Sequence, residues 1–233
     1  MIAAPVGFQC PSCVKGAPAV RTIRSLHHDP YISFALIALN VLVFLAGRGD
    51  ANQTRSLGLD GFDVAHGDWW RIVTSGFIHF DVMHLAFNML ILWWLGRLLE
   101  PAIGMVRFGV VYAVALLSGS FAVLVMSPNA LTGGASGAVF GLMGATVMVL
   151  RRRGIDVMQS GLGGLIVINL LLSFRPGVSI GAHVGGLIGG GVAGAIVAAT
   201  DRDAQQRWIG TAACLLVGAV VAAASLWVAS NPV

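Results

Sequence analysis

Charged side chains are scarce in this chain: lysine, arginine, aspartate and glutamate together make up 10% of its 233 residues. A soluble domain carries about a quarter. Hydrophobic residues make up 57% of the chain, and its mean hydropathy is +0.84. Several apolar stretches approach the roughly 20 residues that a helix needs to cross a bilayer. The sequence therefore excludes an ordinary soluble domain and indicates an integral membrane protein.

Cysteine is also rare, and the three present cannot form a closed disulfide framework. Cys214 lies in an apolar stretch, where we expect it to pack inertly. The N-terminus lacks the basic, apolar and small-residue order of a cleaved signal peptide, so we expect no removal. In a membrane protein the net charge of +4 is read first as a signal of orientation. We expect the lipid bilayer as a partner and no nucleic acid.

The N-terminal extension, residues 1–30, contains a CxxC pair formed by Cys10 and Cys13. Such a pair supplies half of a tetrahedral zinc site, which needs four ligands. His27 and His28 could complete one, although their spacing is irregular. The alternatives are an unstructured tail with two thiols, or the end of a zinc ribbon that starts upstream of Met1. We expect no cofactor and no catalytic metal.

We predict an all-α polytopic membrane protein with a bundle of seven transmembrane helices. The predicted spans are about 31–47, 81–95, 106–126, 136–150, 157–174, 180–199 and 209–229. Between the first two lies a polar segment whose Trp69 and Trp70 suit the membrane interface. The predicted organisation is a cytoplasmic extension (1–30), a six-helix core (31–200), and a seventh helix with its connecting turn (201–233).

The basic residues predict the orientation of this bundle. With a cytoplasmic N-terminus, ten of the fourteen lysines and arginines fall on the inner side and four on the outer side. Positive charge accumulates on the cytoplasmic side of membrane proteins, so this topology is favoured over its inverse. We therefore expect a multi-pass protein of the plasma membrane with an extracytoplasmic C-terminus. The second, fourth and sixth spans then all begin at the outer face.

Four polar residues lie near the starts of those three spans. His84 and Asn88, four residues apart, share one face of the second helix. Ser136 begins the fourth span after a glycine-rich turn, and His183 lies near the start of the sixth. At about 1.5 Å per residue, Ser136 lies about 22 Å from Arg151 at the inner face, and His84 lies at a similar depth. These groups can therefore meet beneath the outer surface.

Structural explanations remain open for each of these residues taken singly. Ser136 could cap its helix, and the neighbouring glycines could serve close helix packing. Either histidine could form a structural hydrogen bond to a neighbouring helix. Ionisable residues inside a membrane are costly, however, and usually mark a functional site. Their convergence at one depth favours a site.

The residues around these positions resemble the rhomboid family of intramembrane serine proteases over about residues 31–200. Gly134-Ala135-Ser136-Gly137 resembles the family's GxSG motif, and Ala182-His183-Val184-Gly185-Gly186 with Gly190 resembles AHxxGxxxG. His84 to Asn88 resembles HxxxN, and Trp70-Arg71 resembles the WR motif of the first loop. Glu100, which follows Gly96, and His79 also have family counterparts. The seventh helix fits the family's six-plus-one arrangement.

The resemblance implies a nucleophile, Ser136, a general base, His183, and an oxyanion hole partly lined by His84 and Asn88. It also implies substrates that are single-pass or polytopic membrane proteins, cut where a helix unwinds. Two features depart from the best-known pattern. Phe140 stands where some members have a tyrosine stacked on the catalytic histidine, and the CxxC pair looks like a remnant of the zinc ribbon of some bacterial members.

Bottom-up chemistry is consistent with this assignment. A serine hydroxyl becomes a good nucleophile when a base removes its proton. Gly186 and Gly190 share the His183 face of the sixth span, and Gly137 begins the fourth, so small residues permit a close approach. The sixth span contains no acidic residue. We therefore expect a Ser–His dyad whose imidazole is held by packing against Phe140 rather than by a carboxylate.

Three other functions are less consistent with these residues. An inactive rhomboid-like protein that escorts membrane clients typically lacks the serine or the histidine, and both are present. A transporter with interrupted helices would be expected to show internal repeats, and none is apparent. Haem binding by His84 and His183 is less consistent with a serine between them at one membrane face. An intramembrane serine endopeptidase is the leading hypothesis.

Overall fold

The computed structural model describes residues 2–3, 8–9, 29–47, 51–158, 161–175 and 177–231. In this part of the chain the structure is helical, apart from two very short pairings. Strands β1 (Ile2–Ala3) and β2 (Phe8–Gln9) pair antiparallel, and Leu59 forms an isolated bridge with Thr132. Cys10, Cys13, His27 and His28 lie outside the described residues, so the zinc hypothesis stays a prediction.

Among the described residues, seven helices overlap the seven apolar segments, and three short ones lie in the first loop. The helices are α1 (Tyr31–Gly47), α2 (Ala51–Leu57), α3 (Gly61–Ala65), α4 (Arg71–Thr74), α5 (Val82–Ile103), α6 (Met105–Met126), α7 (Ser136–Arg152), α8 (Leu162–Leu172), α9 (Ile180–Ala199) and α10 (Ala204–Ser230). A 3₁₀ turn, Ser75–Phe77, follows α4. The expected all-α polytopic fold is confirmed.

Among the described residues, four helices are long and apolar enough to cross a bilayer: α5, α6, α9 and α10. Helices α1 and α8 are apolar but shorter. The predicted span 157–174 is longer than the observed helix, because α8 has 11 residues and is about 16 Å long. The helix starts after Gly161, whose φ of +78° favours glycine. Helix α5 instead extends eight residues beyond the predicted end.

Polar side chains begin several of these helices. Asp81, Ser179 and Asp203 each accept a backbone N–H of the first turn, at the starts of α5, α9 and α10. Such caps satisfy donors that the helix leaves unpaired. Helix α1 is capped from a distance, because Glu100 of α5 accepts the backbone N–H groups of Ile32 and Ser33 at 2.9 Å each. The caps at α5 and α9 fix where the polar residues enter the bundle.

The core lies where α5, α6, α7 and α9 meet. Helix α9 packs against both α6 and α7, and α10 covers the outside of α6. The most deeply buried large side chains include Leu92, Leu95, Phe108, Val111, Leu142 and Met143. At the opposite end from the polar residues, Arg107 of α6 binds Asp201 at 3.2 Å and the Thr200 carbonyl at 3.0 Å. This contact joins the start of α6 to the end of α9.

Candidate active site

The hydroxyl of Ser136 and the imidazole of His183 meet between α7 and α9. Ser136 Oγ lies 2.8 Å from His183 Nε2, which is hydrogen-bond distance. His183 is 7% exposed, whereas Ser136 is half-buried. Forty-seven residues separate the two in sequence. A serine hydroxyl and an imidazole from different helices are therefore in direct contact.

Glycine permits this approach of α7 to α9. A methyl group added at Gly186 would overlap the Gly137 carbonyl group, and one added at Gly190 would overlap the backbone of Gly141. The two helices thus touch backbone to backbone on the face that carries His183. Any side chain at these positions would push the two helices apart and would separate Ser136 from His183.

The ring of His183 is fixed from two sides. Phe140 stacks on it, with ring centroids 4.1 Å apart and planes 16° from parallel, as expected from the sequence. On the other edge, Ser173 Oγ lies 2.5 Å from His183 Nδ1. Sequence reasoning missed Ser173, because a serine that ends an apolar helix matches no motif. Its position one residue past α8, ten residues before His183, was the only available signal.

The turn before Ser136 is held by the first loop. The Gly134 N–H donates to the Ser75 carbonyl at 2.9 Å, and Leu59 and Thr132 exchange two backbone hydrogen bonds. These contacts satisfy backbone groups of the loop 127–135. Gly134 has φ +134°, a conformation that side chains rarely adopt. A methyl group there would also lie 2.8 Å from His84 Nε2 and 3.7 Å from Ser136 Oγ. His84 and Ser136 therefore flank one small space.

His84 and Asn88 lie in the first two turns of α5, as their spacing predicts. The Asn88 side chain is buried and donates one N–H to the His84 carbonyl at 2.9 Å. The His84 ring stacks on Phe80 at 6.0 Å and meets His79 edge-on at 5.0 Å. The His84 ring is thereby oriented by two aromatic neighbours.

His79 lies in the loop before α5 and accepts the Ala135 N–H through Nε2 at 3.4 Å. Burial lowers the pKa of His79 to about 4, and the neighbouring His84 acts in the same direction. The neutral ring that results can accept this backbone hydrogen bond. His79 therefore supports the residue that immediately precedes Ser136.

Trp70 and Arg71 lie in the first loop, at the start of α4. Arg71 is buried and pairs with Asp63 and Asp68, each at 2.9 Å. Its guanidinium also donates to the carbonyls of Arg55 and Gly58. Trp70 is partly exposed beside Trp69. Arg71 thus holds together the loop that in turn holds Gly134.

Known proteins resemble this chain over the region that contains these residues. A protein-family model described as Rhomboid domain matches residues 66–200, more than half of the chain. Rhomboid protease GluP of Bacillus subtilis is 36% identical over 157 residues, which cover 64% of this chain and 31% of that protein. RHOMBOID-like protein 4 of Arabidopsis thaliana is 32% identical over 135 residues, 54% of this chain and 34% of that protein.

Rhomboid protease GlpG of Serratia proteamaculans is 36% identical over 130 residues, which cover 56% of this chain and 46% of that protein. The chain thus spans between about a third and a half of the length of these three curated relatives. The matched region contains the histidine and asparagine of α5, the glycine-rich turn with its serine, and the histidine of α9. This chain is a multi-pass membrane protein that belongs to the rhomboid family.

Proposed function

We propose that this chain is a serine endopeptidase that cleaves peptide bonds within transmembrane segments of membrane proteins, using Ser136 and His183 as a dyad. The observation that carries the proposal is the 2.8 Å contact between Ser136 Oγ and His183 Nε2. The relatives named as rhomboid proteases support the same activity. No cofactor is required, since a serine and a base suffice for acyl transfer.

In the first step His183 Nε2 takes the proton of Ser136 Oγ while the oxygen attacks the scissile carbonyl carbon. His183 then gives that proton to the leaving amine nitrogen, and the carbonyl half of the substrate stays esterified to Ser136. In the second step a water molecule, deprotonated by Nε2, attacks the ester carbon. The bond to Ser136 Oγ then breaks, His183 returns the proton to that oxygen, and the acid product is released. The half-buried position of Ser136 supports access for that water.

The oxyanion that forms in each step needs hydrogen-bond donors placed before the reaction begins. The Ser136 N–H is at the first position of α7, where no helical carbonyl uses it and the helix dipole favours negative charge. His84 faces the same small space as Ser136. Asn88 has a second N–H beyond the one given to the His84 carbonyl. We assign these three groups to the oxyanion hole.

The substrates we propose are single-pass or polytopic membrane proteins. Their backbone carbonyls are hidden in helical hydrogen bonds, so the segment must unwind locally before Ser136 can attack. Small or helix-breaking residues near the cut make that unwinding easier. Specificity in this proposal therefore reflects local helix stability as well as side-chain fit.

We further propose seven spans in the plasma membrane, with the N-terminus cytoplasmic, the C-terminus extracytoplasmic and the dyad near the outer face. The distribution of arginines supports this orientation, since Arg151, Arg152 and Arg153 lie at the C-terminal end of α7, opposite Ser136. Reporter fusions at the two termini test it. A phosphatase that is active only outside the cytoplasm should be active at the C-terminus and inactive at the N-terminus; the reverse result would overturn the orientation.

The activity is tested by labelling the purified full chain with a fluorophosphonate probe and by cleavage of a model transmembrane substrate in liposomes. Ser136→Ala should abolish both labelling and cleavage, and His183→Ala should abolish cleavage while the fold is retained. Ser225→Ala is the matched control, because Ser225 is a buried serine in α10 that bonds only the Val221 carbonyl. Equal labelling of wild type and Ser136→Ala would refute the nucleophile and favour an inactive protein that binds membrane clients.

A further inference from the structure

Ser173 connects the end of α8 to the imidazole of His183. It is 2% exposed, and its hydroxyl oxygen has two neighbours: His183 Nδ1 at 2.5 Å and the Asn169 carbonyl oxygen at 2.8 Å. On the other side of the ring, Nε2 lies 2.8 Å from Ser136 Oγ. One continuous line of hydrogen bonds therefore runs from Asn169 through Ser173 and His183 to Ser136.

The number of protons fixes the direction of this line. A serine hydroxyl has one proton to donate, and a backbone carbonyl can only accept. Ser173 therefore donates its proton to the Asn169 carbonyl, and its oxygen accepts from the N–H at His183 Nδ1. A neutral imidazole has a single N–H, so Nε2 is left as an acceptor for the Ser136 proton.

The opposite direction of the Ser173–His183 hydrogen bond is disfavoured by the same proton count. If Ser173 donated to Nδ1, the ring proton would sit on Nε2 and would point at Ser136 Oγ. That tautomer cannot remove the Ser136 proton, and the Ser173 oxygen would face the Asn169 oxygen without a proton between them. The two contacts of Ser173 thus favour one tautomer of His183, the one that a general base needs.

We propose that Ser173 is a positioning residue that holds His183 in its Nδ1–H tautomer and fixes the ring orientation, the role that a carboxylate plays in a Ser–His–Asp triad. Its catalytic consequence rests on the proposed protease function, whereas the tautomer itself rests only on these hydrogen bonds. During attack the Ser136 proton moves to Nε2 and then to the leaving nitrogen. The proton at Nδ1 stays between His183 and Ser173 throughout.

The expected fall in kcat on loss of the Ser173 hydroxyl is moderate, because both tautomers of His183 then become accessible and the unproductive one is not enforced. Forcing the wrong tautomer in a soluble serine protease lowers kcat about 10⁴-fold. Loss of one net hydrogen bond corresponds to roughly a tenfold change. We expect Ser173→Ala and Ser173→Cys to lower kcat about tenfold with KM unchanged, since a thiol is a weak acceptor of similar size. Ser173→Thr keeps the hydroxyl and should restore kcat.

Ser225→Ala separates positioning from a structural role. Both serines are buried and both donate to the carbonyl four residues earlier, at 2.8 Å. Ser225→Ala therefore removes the same backbone contact without touching His183, and kcat should stay at the wild-type value. An equal fall of kcat in Ser225→Ala and Ser173→Ala would overturn the proposal.

The direct readout is ¹⁵N NMR of the histidine rings in the full-length protein in micelles, at a pH where the imidazoles are neutral. His183→Ala identifies the His183 signals. In wild type and Ser173→Thr, Nδ1 should show the shift of a protonated nitrogen and Nε2 that of an unprotonated one. In Ser173→Ala and Ser173→Cys, the two shifts should move toward each other as the tautomers mix.

The two readouts distinguish failure of this proposal from failure of the protease function. If wild type cleaves no substrate but the shifts change as expected, the positioning role stands and the protease function does not. If wild type cleaves, and neither kcat nor the shifts respond to Ser173→Ala or Ser173→Cys, the positioning role is refuted. Unchanged shifts in a protein that also cleaves nothing refute it as well.

Discussion

A single methyl group at Gly186 should disable the site without touching either reacting residue. Gly186 of α9 lies against the backbone of Gly137 in α7, and a Cβ atom there would overlap the Gly137 carbonyl. Gly137 is the residue next to Ser136, so the strain is applied directly beside the proposed nucleophile. Because the clashing atoms belong to the backbone, no change of rotamer can relieve the overlap, and α7 and α9 must separate.

The size of the effect follows from the distance between the reacting groups. The overlap requires a shift of about 1 Å, and a misplacement of that size can lower the catalytic rate about 100-fold. Overpacking a close contact costs about 1–3 kcal/mol of stability. Against this, alanine in a helix is favoured over glycine by up to about 1 kcal/mol. We expect Gly186→Ala to lose about 100-fold in kcat and about 1–2 kcal/mol in stability.

Gly191→Ala provides the matched control. It makes the same substitution in the same helix, but a methyl group there meets no atom within 4 Å. Cleavage of the model substrate gives kcat and KM, and thermal unfolding in detergent gives the stability. Gly191→Ala should keep wild-type activity and equal or slightly higher stability. Equal kcat in the two variants would refute the argument that backbone contact between α7 and α9 sets the Ser136–His183 distance.

Three further changes test other parts of the fold. Glu100→Gln removes a buried carboxylate, 1% exposed, that accepts three hydrogen bonds at the start of α1. Unfolding in mixed micelles should therefore show that the free energy of unfolding falls by about 3 kcal/mol. An unchanged free energy of unfolding would contradict the long-range cap. Arg71→Met removes the ion pairs with two aspartates. Because those aspartates are partly solvated, the loss of stability in the first loop should be limited to about 2 kcal/mol, and proteolysis within 51–77 should become faster. An unchanged rate of proteolysis would contradict that role. Phe140→Leu removes the ring stacked on His183, an interaction worth about 1 kcal/mol, and should lower kcat about fivefold. Phe140→Tyr keeps an aromatic ring and should leave kcat unchanged. Equal kcat in the two variants would exclude a contribution from stacking.

Helix positions and the convergence of polar groups could be predicted from the sequence, because both follow from local patterns. Apolar runs predict seven of the described helices, and the spacing of His84 and Asn88 puts them on one face of α5. The motif glycines indicated a close approach of two helices. These features need only the chain's periodicity and the membrane's thickness.

Other features could not be predicted, because they depend on contacts between distant segments. Ser173 at the end of α8 contacts His183 of α9, and no periodic pattern in the sequence predicts that contact. The network of Arg71 joins four residues across a polar loop, and Glu100 caps a helix through Ile32, 68 residues earlier. The short length of α8 reflects the left-handed turn at Gly161, which competes with the apolar pattern around it.

The contact between Gly186 and Gly137 also limits how the sequence can change over time. In most protein interiors an enlarged residue can be compensated when its neighbour becomes smaller. Here the neighbour is already the smallest amino acid, and the opposing atoms belong to the peptide unit itself. Suppressor mutations of a substitution at Gly186 should therefore not arise at the facing position. They should arise in helices such as α6, where a smaller side chain would let α9 move away from α7.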